Sequence, residues 1–150
     1  DILYCHNLFS ENIPNFIDPG KYRKIEVIIS GSSKILPQAN DVPKKMEKYI
    51  EWLNKNRNKL HPVMFAAEAH RQLVNIHPFT DGNGRISRLV MNTFLYQDKL
   101  FPVSIPVLRR KDYYNILEKN NGNDFGKYIA GLELQTVKDL MRYLHLELGK

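Results

Sequence analysis

Between Pro62 and Pro78 the residues Val63, Ala66, Ala67, His70, Leu73 and Val74 recur at spacings of three and four. That period is one face of an α-helix. Proline suits the first turn of a helix and disfavours helical geometry at the residue before it, so this helix starts at Pro62 and ends near Ile76. The same period returns on both sides. After Asp41, read as an N-cap with Pro43 in the first turn, Met46, Tyr49, Ile50 and Leu53 predict a helix to about Lys55. After Gly84, the residues Ile86, Leu89, Val90, Thr93 and Phe94 predict another, with these side chains on one side. A proline-punctuated stretch, Phe101 to Pro106, breaks the pattern, and two more helices are expected at about 111–119 and 125–148.

One region departs from the helical period. Arg23 to Ile29 contains a β-branched run, Ile25, Val27, Ile28 and Ile29, followed by turn chemistry at Gly31-Ser32-Ser33. Lys34 to Pro37 can return as a short edge strand. The expected fold class is therefore mainly α with a small β-hairpin, in one domain spanning residues 1–150. Wholesale disorder is excluded, because 43% of the residues are hydrophobic and 25% charged. Cys5 is the only cysteine, so no intrachain disulfide can form, and a lone thiol fits a reducing compartment. No apolar run approaches the ~20 residues of a membrane-spanning helix, and no signal-peptide pattern opens the chain. The location read from this is cytoplasmic, with a secreted effector acting in a host cytosol as the alternative. Asp1 in place of Met reads as the core of a longer chain.

The chemistry is concentrated in residues 77–88, His77-Pro78-Phe79-Thr80-Asp81-Gly82-Asn83-Gly84-Arg85-Ile86-Ser87-Arg88. Gly82-Asn83-Gly84 lets successive backbone N–H groups turn into one concavity, a nest for anionic oxygens. The helix that follows adds its positive N-terminal end. Arg85 and Arg88, three residues apart, can reach the same anion, and guanidinium forks suit phosphate. Asp81 is a hard oxygen ligand beside the nest, and one carboxylate with phosphate oxygens and waters is the usual protein share of a Mg²⁺ site. His77 precedes all of this with a pKa range suited to taking a proton from a hydroxyl. Together these groups point to phosphoryl or nucleotidyl transfer, which needs charge neutralisation and in-line positioning.

This segment resembles the Fic pattern, His-x-Phe-x-Asp/Glu-Gly-Asn-Gly-Arg-x-x-Arg, at every fixed position. The likeness extends to Gly20-Lys21-Tyr22-Arg23 with Val27 to Ser32, to His61-Pro62-Val63 through His70 and Val74-Asn75-Ile76, and to Ser87 through Asn92 and Tyr113-Tyr114. The resemblance implies a helical bundle with a β-hairpin flap and a protein adenylyltransferase, moving AMP from ATP to a Ser, Thr or Tyr hydroxyl of a target protein. It makes His77 the general base and Asp81 the Mg²⁺ ligand. It gives Gly82, Asn83 and Gly84 the anion hole, Arg85 a phosphate and Arg88 the γ-phosphate, with Phe79 a buried anchor. Tyr114 and Asn121 fall where the family lines its adenine pocket; the alternative is helix-face packing and a solvated loop Asn. Ile35 and Leu36 on the flap would grip an extended target segment added as a strand, or else tuck onto the core.

Restraint in this family commonly comes from a helix bearing Ser/Thr-x-x-x-Glu-Gly/Asn, whose Glu pairs with the second motif Arg. No Glu in these 150 residues has Ser or Thr four positions before it. An inhibitory Glu is therefore expected in an N-terminal piece or in a separate partner protein, if anywhere. Rival readings are a Fic-type transferase of UMP or phosphate, a non-catalytic nucleotide-binding module, and a nucleic-acid binder. The net charge of +6 is scattered, and no recognition-helix signature or stacking surface supports the last.

Overall fold

The computed structural model describes residues 1–29, 34–119 and 121–146. Six α-helices run through them: α1 Ile2–Ser10, α2 Val42–Asn56, α3 Pro62–Ile76, α4 Asn83–Gln97, α5 Arg110–Glu118 and α6 Gly122–Tyr143. Helix α3 occupies the residues its two prolines dictate. Phe65, Ala69 and Ile76 are buried along with the expected stripe, so α3 is covered on nearly all sides, packing on α4, α6 and α2. It divides the core in two. Between α3, α4, α5 and α6 lie Ala66, Ala67, Met91, Leu95, Phe125 and Ile129. Against α1 and α2 lie Met46, Tyr49, Leu73, Phe79 and Ile86. Each large apolar side chain buried there contributes about 1.5–3 kcal/mol.

Three expectations change. The apolar face of α4 is rotated: Ile86, Ser87, Met91 and Leu95 are buried, while Leu89 is exposed. Ser87 can face inward because its hydroxyl donates to the Asn83 carbonyl at 2.8 Å. Helix α6 starts three residues earlier than expected, because the Asn121 side chain caps it, accepting from the N–H groups of Asn123 and Asp124. Its expected end at Leu148 lies outside the described residues. Helix α1 is absent from the sequence expectations, since nine residues give periodicity little to work with; Asp1 caps it by accepting from the Leu3 N–H at 3.0 Å.

The third change is the hairpin. Among the described residues no strand ladder forms in 21–29 or 34–38, and the Gly31-Ser32-Ser33 turn lies outside them. What joins the arms among the described residues is Arg23. Its side chain is fully buried, and its guanidinium donates to the carbonyls of Ile25 (3.0 Å) and Pro37 (2.6 Å). These are one carbonyl from each arm. Glu26 adds a tie by accepting from the Ala39 N–H at 2.8 Å. A side chain thus joins the arms at their base where a backbone ladder was expected.

Candidate functional site

Pro78 forces the chain to leave the helical path after α3, and His77 makes the turn in the left-handed region at φ +52°. A non-glycine residue there costs about 1–2 kcal/mol and must be held. The His77 N–H donates to the Leu73 carbonyl at 3.1 Å. Its carbonyl accepts from Arg23 Nε at 2.8 Å, and the next carbonyl, that of Pro78, accepts from the Arg23 N–H at 2.8 Å. The imidazole Nδ1–H donates to the Val74 carbonyl at 3.0 Å, which leaves Nε2 as the lone-pair nitrogen. Burial pushes the His77 pKa below the usual 6.5, outweighing the Val74 hydrogen bond; Arg23 adds to the lowering and Asp81 opposes it. The ring is therefore neutral at pH 7, with one nitrogen ready to accept a proton.

The loop beyond His77 is braced from inside. Asn83, buried, bonds Phe79 twice: its Oδ1 accepts from the Phe79 N–H at 2.9 Å and its Nδ2 donates to the Phe79 carbonyl at 2.8 Å. Phe79 is fully buried and stacks on His6 with centroids 3.7 Å apart. His6, from α1, links Nε2 to the Asp81 carbonyl (3.1 Å) and accepts the Gly20 N–H at Nδ1 (2.9 Å). Gly82 turns at φ +79°, and a Cβ there would lie 2.7 Å from Cε1 of Phe9, so this position has no room for a side chain.

Helix α4 makes its first backbone bond from the Ile86 N–H to the Gly82 carbonyl at 3.0 Å. The N–H groups of Asn83, Gly84 and Arg85 have no partner among the described residues, and they form the donor end of the helix. Gly82 does not join them, because its N–H donates to Asp81 Oδ1 at 2.5 Å. Asp81 Oδ2 accepts from Arg85 at 2.9 Å, and the Arg85 guanidinium lies over the Phe9 ring at 4.5 Å. The Asp81 carboxylate remains largely exposed beside the donors. Arg88 lies one turn on, with no carboxylate partner among the described residues.

These groups line one cavity of about 670 Å³, which includes His77, Asp81, Gly84, Arg85, Arg88 and Tyr114 in its wall. Its opposite side is the Pro102–Pro106 stretch, pinned by Asn92, which donates to the Val103 carbonyl (3.1 Å) and accepts its N–H (2.8 Å). Arg110 also faces the cavity and lies over the Tyr114 ring at 5.5 Å. The structure thus brings His77, Asp81, Gly82, Asn83, Gly84, Arg85, Arg88 and Tyr114 to one cavity wall. Asn121 is not among them: its side chain caps α6 and is not part of the cavity wall. Ile35 is 94% exposed and Leu36 half-buried, so Ile35 is not tucked on the core; Ile28 on the other arm is 91% exposed.

Arg23, His6, Asn92 and Arg110 escaped the sequence reading as site-building residues. Arg23 carried a signal in the flap-like Gly20-Lys21-Tyr22-Arg23, and Asn92 carried one at the end of the run from Ser87. The donor set fits Mg²⁺ brought with phosphate: one exposed carboxylate, oriented by Gly82 and Arg85, with lone pairs left for a cation. Among the described residues no group of three or more His, Cys, Asp or Glu could hold a metal unaided. None of their helices is long and apolar enough to cross a membrane.

The Fic/DOC family model matches residues 1–95. Curated relatives named protein adenylyltransferase Fic include those of Drosophila grimshawi, 39% identical over 96% of this chain and 29% of theirs, and of Drosophila mojavensis, 40% identical over 96% and 28%. The chain spans under a third of the length of these relatives. Among solved structures, Fic-1 (aa134–508 E274G) from C. elegans superposes with a TM-score of 0.81 at 29% identity, over 97% of this chain and 43% of that one. A Fic domain containing signaling protein from Bacteroides thetaiotaomicron shares the fold, with a TM-score of 0.83 at 22% identity over 99% of this chain and 64% of that one.

Proposed function

Because this chain belongs to the Fic/DOC family, we propose that it is a protein adenylyltransferase, moving AMP from ATP onto a Ser, Thr or Tyr hydroxyl of a target protein. The observation that carries the reading is the His77 ring. It is neutral, has its Nδ1–H fixed on Val74, and stands in the wall of a cavity lined with helix donors and three arginines. In the proposed reaction the target hydroxyl oxygen bonds to the α-phosphorus, its proton passes to His77 Nε2, and pyrophosphate leaves. The N–H groups of Asn83, Gly84 and Arg85 receive the phosphate oxygens, and Arg85 and Arg88 neutralise the chain of phosphates. Asp81 would hold Mg²⁺, which supplies charge neutralisation on the phosphates when bound. Tyr114, backed by Arg110, is the surface on which the base would stack.

The target enters beside the arms of the flap. Ile35 and Ile28 stand in solvent, where an extended segment with apolar side chains could pair with them. Arg88 bears on regulation: with no carboxylate on it among the described residues, this chain should bind ATP productively and show basal transfer or self-modification. A longer form or a partner that supplies an inhibitory Glu should show less. The test is incorporation of label from α-labelled ATP into protein with Mg²⁺, compared with UTP, CTP and GTP. Label from ATP supports the reading, label from another nucleotide moves it to that group, and nucleotide binding without incorporation reduces it to a binding module.

A further inference from the structure

His70 lies in the middle of α3, completely buried, with the Phe125 ring stacked on one side and the Tyr113 ring edge-on at 5.7 Å. Its Nε2 is 3.2 Å from the Tyr113 hydroxyl, and its Nδ1 has no partner. A buried N–H without an acceptor is a cost that an apolar side chain would remove. What the histidine supplies in exchange is an acceptor. With the Tyr113 O–H donated to Nε2, the lone pairs of that oxygen are left for another donor.

Arg88, in the same cavity wall, is placed to be that donor. Tyr113, on α5, is 5% exposed and lines the cavity together with Arg88, whose charge and hydrogen bonding act on its hydroxyl. Arg88 comes from α4, so the three residues tie three helices at one point behind the phosphate site. Burial, helped by the Arg88 charge, lowers the His70 pKa to about 3, so the ring stays a neutral acceptor at every pH of interest. A long guanidinium that gives one N–H to the Tyr113 oxygen would lose rotamer freedom before any ligand arrives, and its remaining donors would keep one direction.

We infer that His70 and Tyr113 are positioning residues that aim Arg88 at the terminal phosphate of a nucleoside triphosphate and thereby set the preference for triphosphate over diphosphate. The inference rests on the nucleotide-binding reading above and adds to it the residues that make one arginine selective.

Calorimetric titration of this chain with ATP and with ADP, both with Mg²⁺, tests it. The wild type should prefer ATP. Tyr113→Phe removes only a hydroxyl and should weaken ATP by about 2–12-fold, the worth of one hydrogen bond, with ADP changed by less than about twofold. His70→Leu should act in the same direction. In an Arg88→Ala background Tyr113→Phe should have no further effect, since the arginine it aims is gone. Equal weakening of ATP and ADP would make Tyr113 a general wall residue, and an unchanged ATP preference in both variants would leave Arg88 unaided; either overturns the inference. A wild type that binds ATP no better than ADP overturns it by another route, together with the γ-phosphate reading of Arg88.

Discussion

Residues 77–88 and the two segments 21–29 and 34–38 share Arg23, yet they are secured by different means. The first is braced from within, Asn83 on Phe79, Asp81 on Gly82 and Ser87 on Asn83, while His6 and Arg23 hold the Asp81 and His77 carbonyls from outside. In the second, the arms meet through Arg23 and Glu26 at their base, and Ile28 and Ile35 farther out stand in solvent. A self-braced loop can hold phosphate donors to within fractions of an ångström, as transfer chemistry requires. Arms tied at one end leave a surface that another chain can complete. Arg23 belongs to both regions, since the guanidinium that joins the arms also holds the His77 carbonyl.

The sharpest way to separate the two regions is His77→Ala. Transfer should fall by about two to four orders of magnitude, the worth of a positioned base, while nucleotide binding persists. Undiminished incorporation would remove His77 from the chemistry. Arg23→Met tests the residue they share. It takes a donor from the carbonyls of His77, Ile25 and Pro37 inside the protein, so the fold should lose about 3–9 kcal/mol by denaturant titration, at ~1–3 kcal/mol for each carbonyl left unpaired. A loss below 1 kcal/mol would mean that water or a local shift satisfies those carbonyls.

The same contrast explains what could be read in advance. The segment 77–88 stood out because its parts are contiguous and phosphoryl-transfer chemistry demands specific residue types at fixed spacing. The limits of α3 were legible because proline acts on its neighbours. Arg23 was not, since its role depends on carbonyls from residues 37 and 77, which sequence spacing does not bring together. The β-branched run at 25–29 argued locally for a strand, whereas among the described residues the arms are joined by a buried guanidinium on the Ile25 and Pro37 carbonyls. Asn121 was drawn to the cavity by resemblance, whereas Asn121-Gly122-Asn123-Asp124 is itself a helix start, with a capping Asn and an acidic first turn. His70 counted among the apolar stripe of α3, and its hydrogen bond to α5 has no trace in the local pattern.

Acid titration probes the helical frame behind the loop. Burial depresses the folded-state pKa of His6, His70 and His77, with His70 reaching about 3. The unfolded chain therefore binds more protons than the folded one below about pH 6.5, and stability rises with pH across that window. The stabilisation from keeping these rings neutral is complete above pH 6.5 and is lost as pH falls through each folded-state pKa. For His70 alone the slope is at most about 1.4 kcal/mol per pH unit, one proton's worth. Melting temperature should decline from pH 6.5 toward pH 4, and His70→Leu should decline less steeply. Parallel curves for the two would mean that His70 is not held neutral by the fold.

The smallest effect on the protein itself belongs to Ile35→Ser. Ile35 is 94% exposed, so its removal should change stability by no more than about 0.5 kcal/mol. Nucleotide binding should not change either, because Ile35 is not part of the cavity wall. If the arms receive the target, the loss appears in one quantity alone. A target segment deprived of one apolar cross-strand contact gives up about 0.2–1 kcal/mol, so kcat/KM for the protein target should fall by up to about fivefold. Transfer at saturating target should be nearly unchanged, since the contact is made equally before and during the reaction. The measurement is AMP incorporation against target concentration for Ile35→Ser and Ile28→Ser. The two variants should behave alike, as one residue from each arm of the same surface. Unaltered kcat/KM in both would place the target elsewhere on the molecule and leave the exposed arms without a role in recognition.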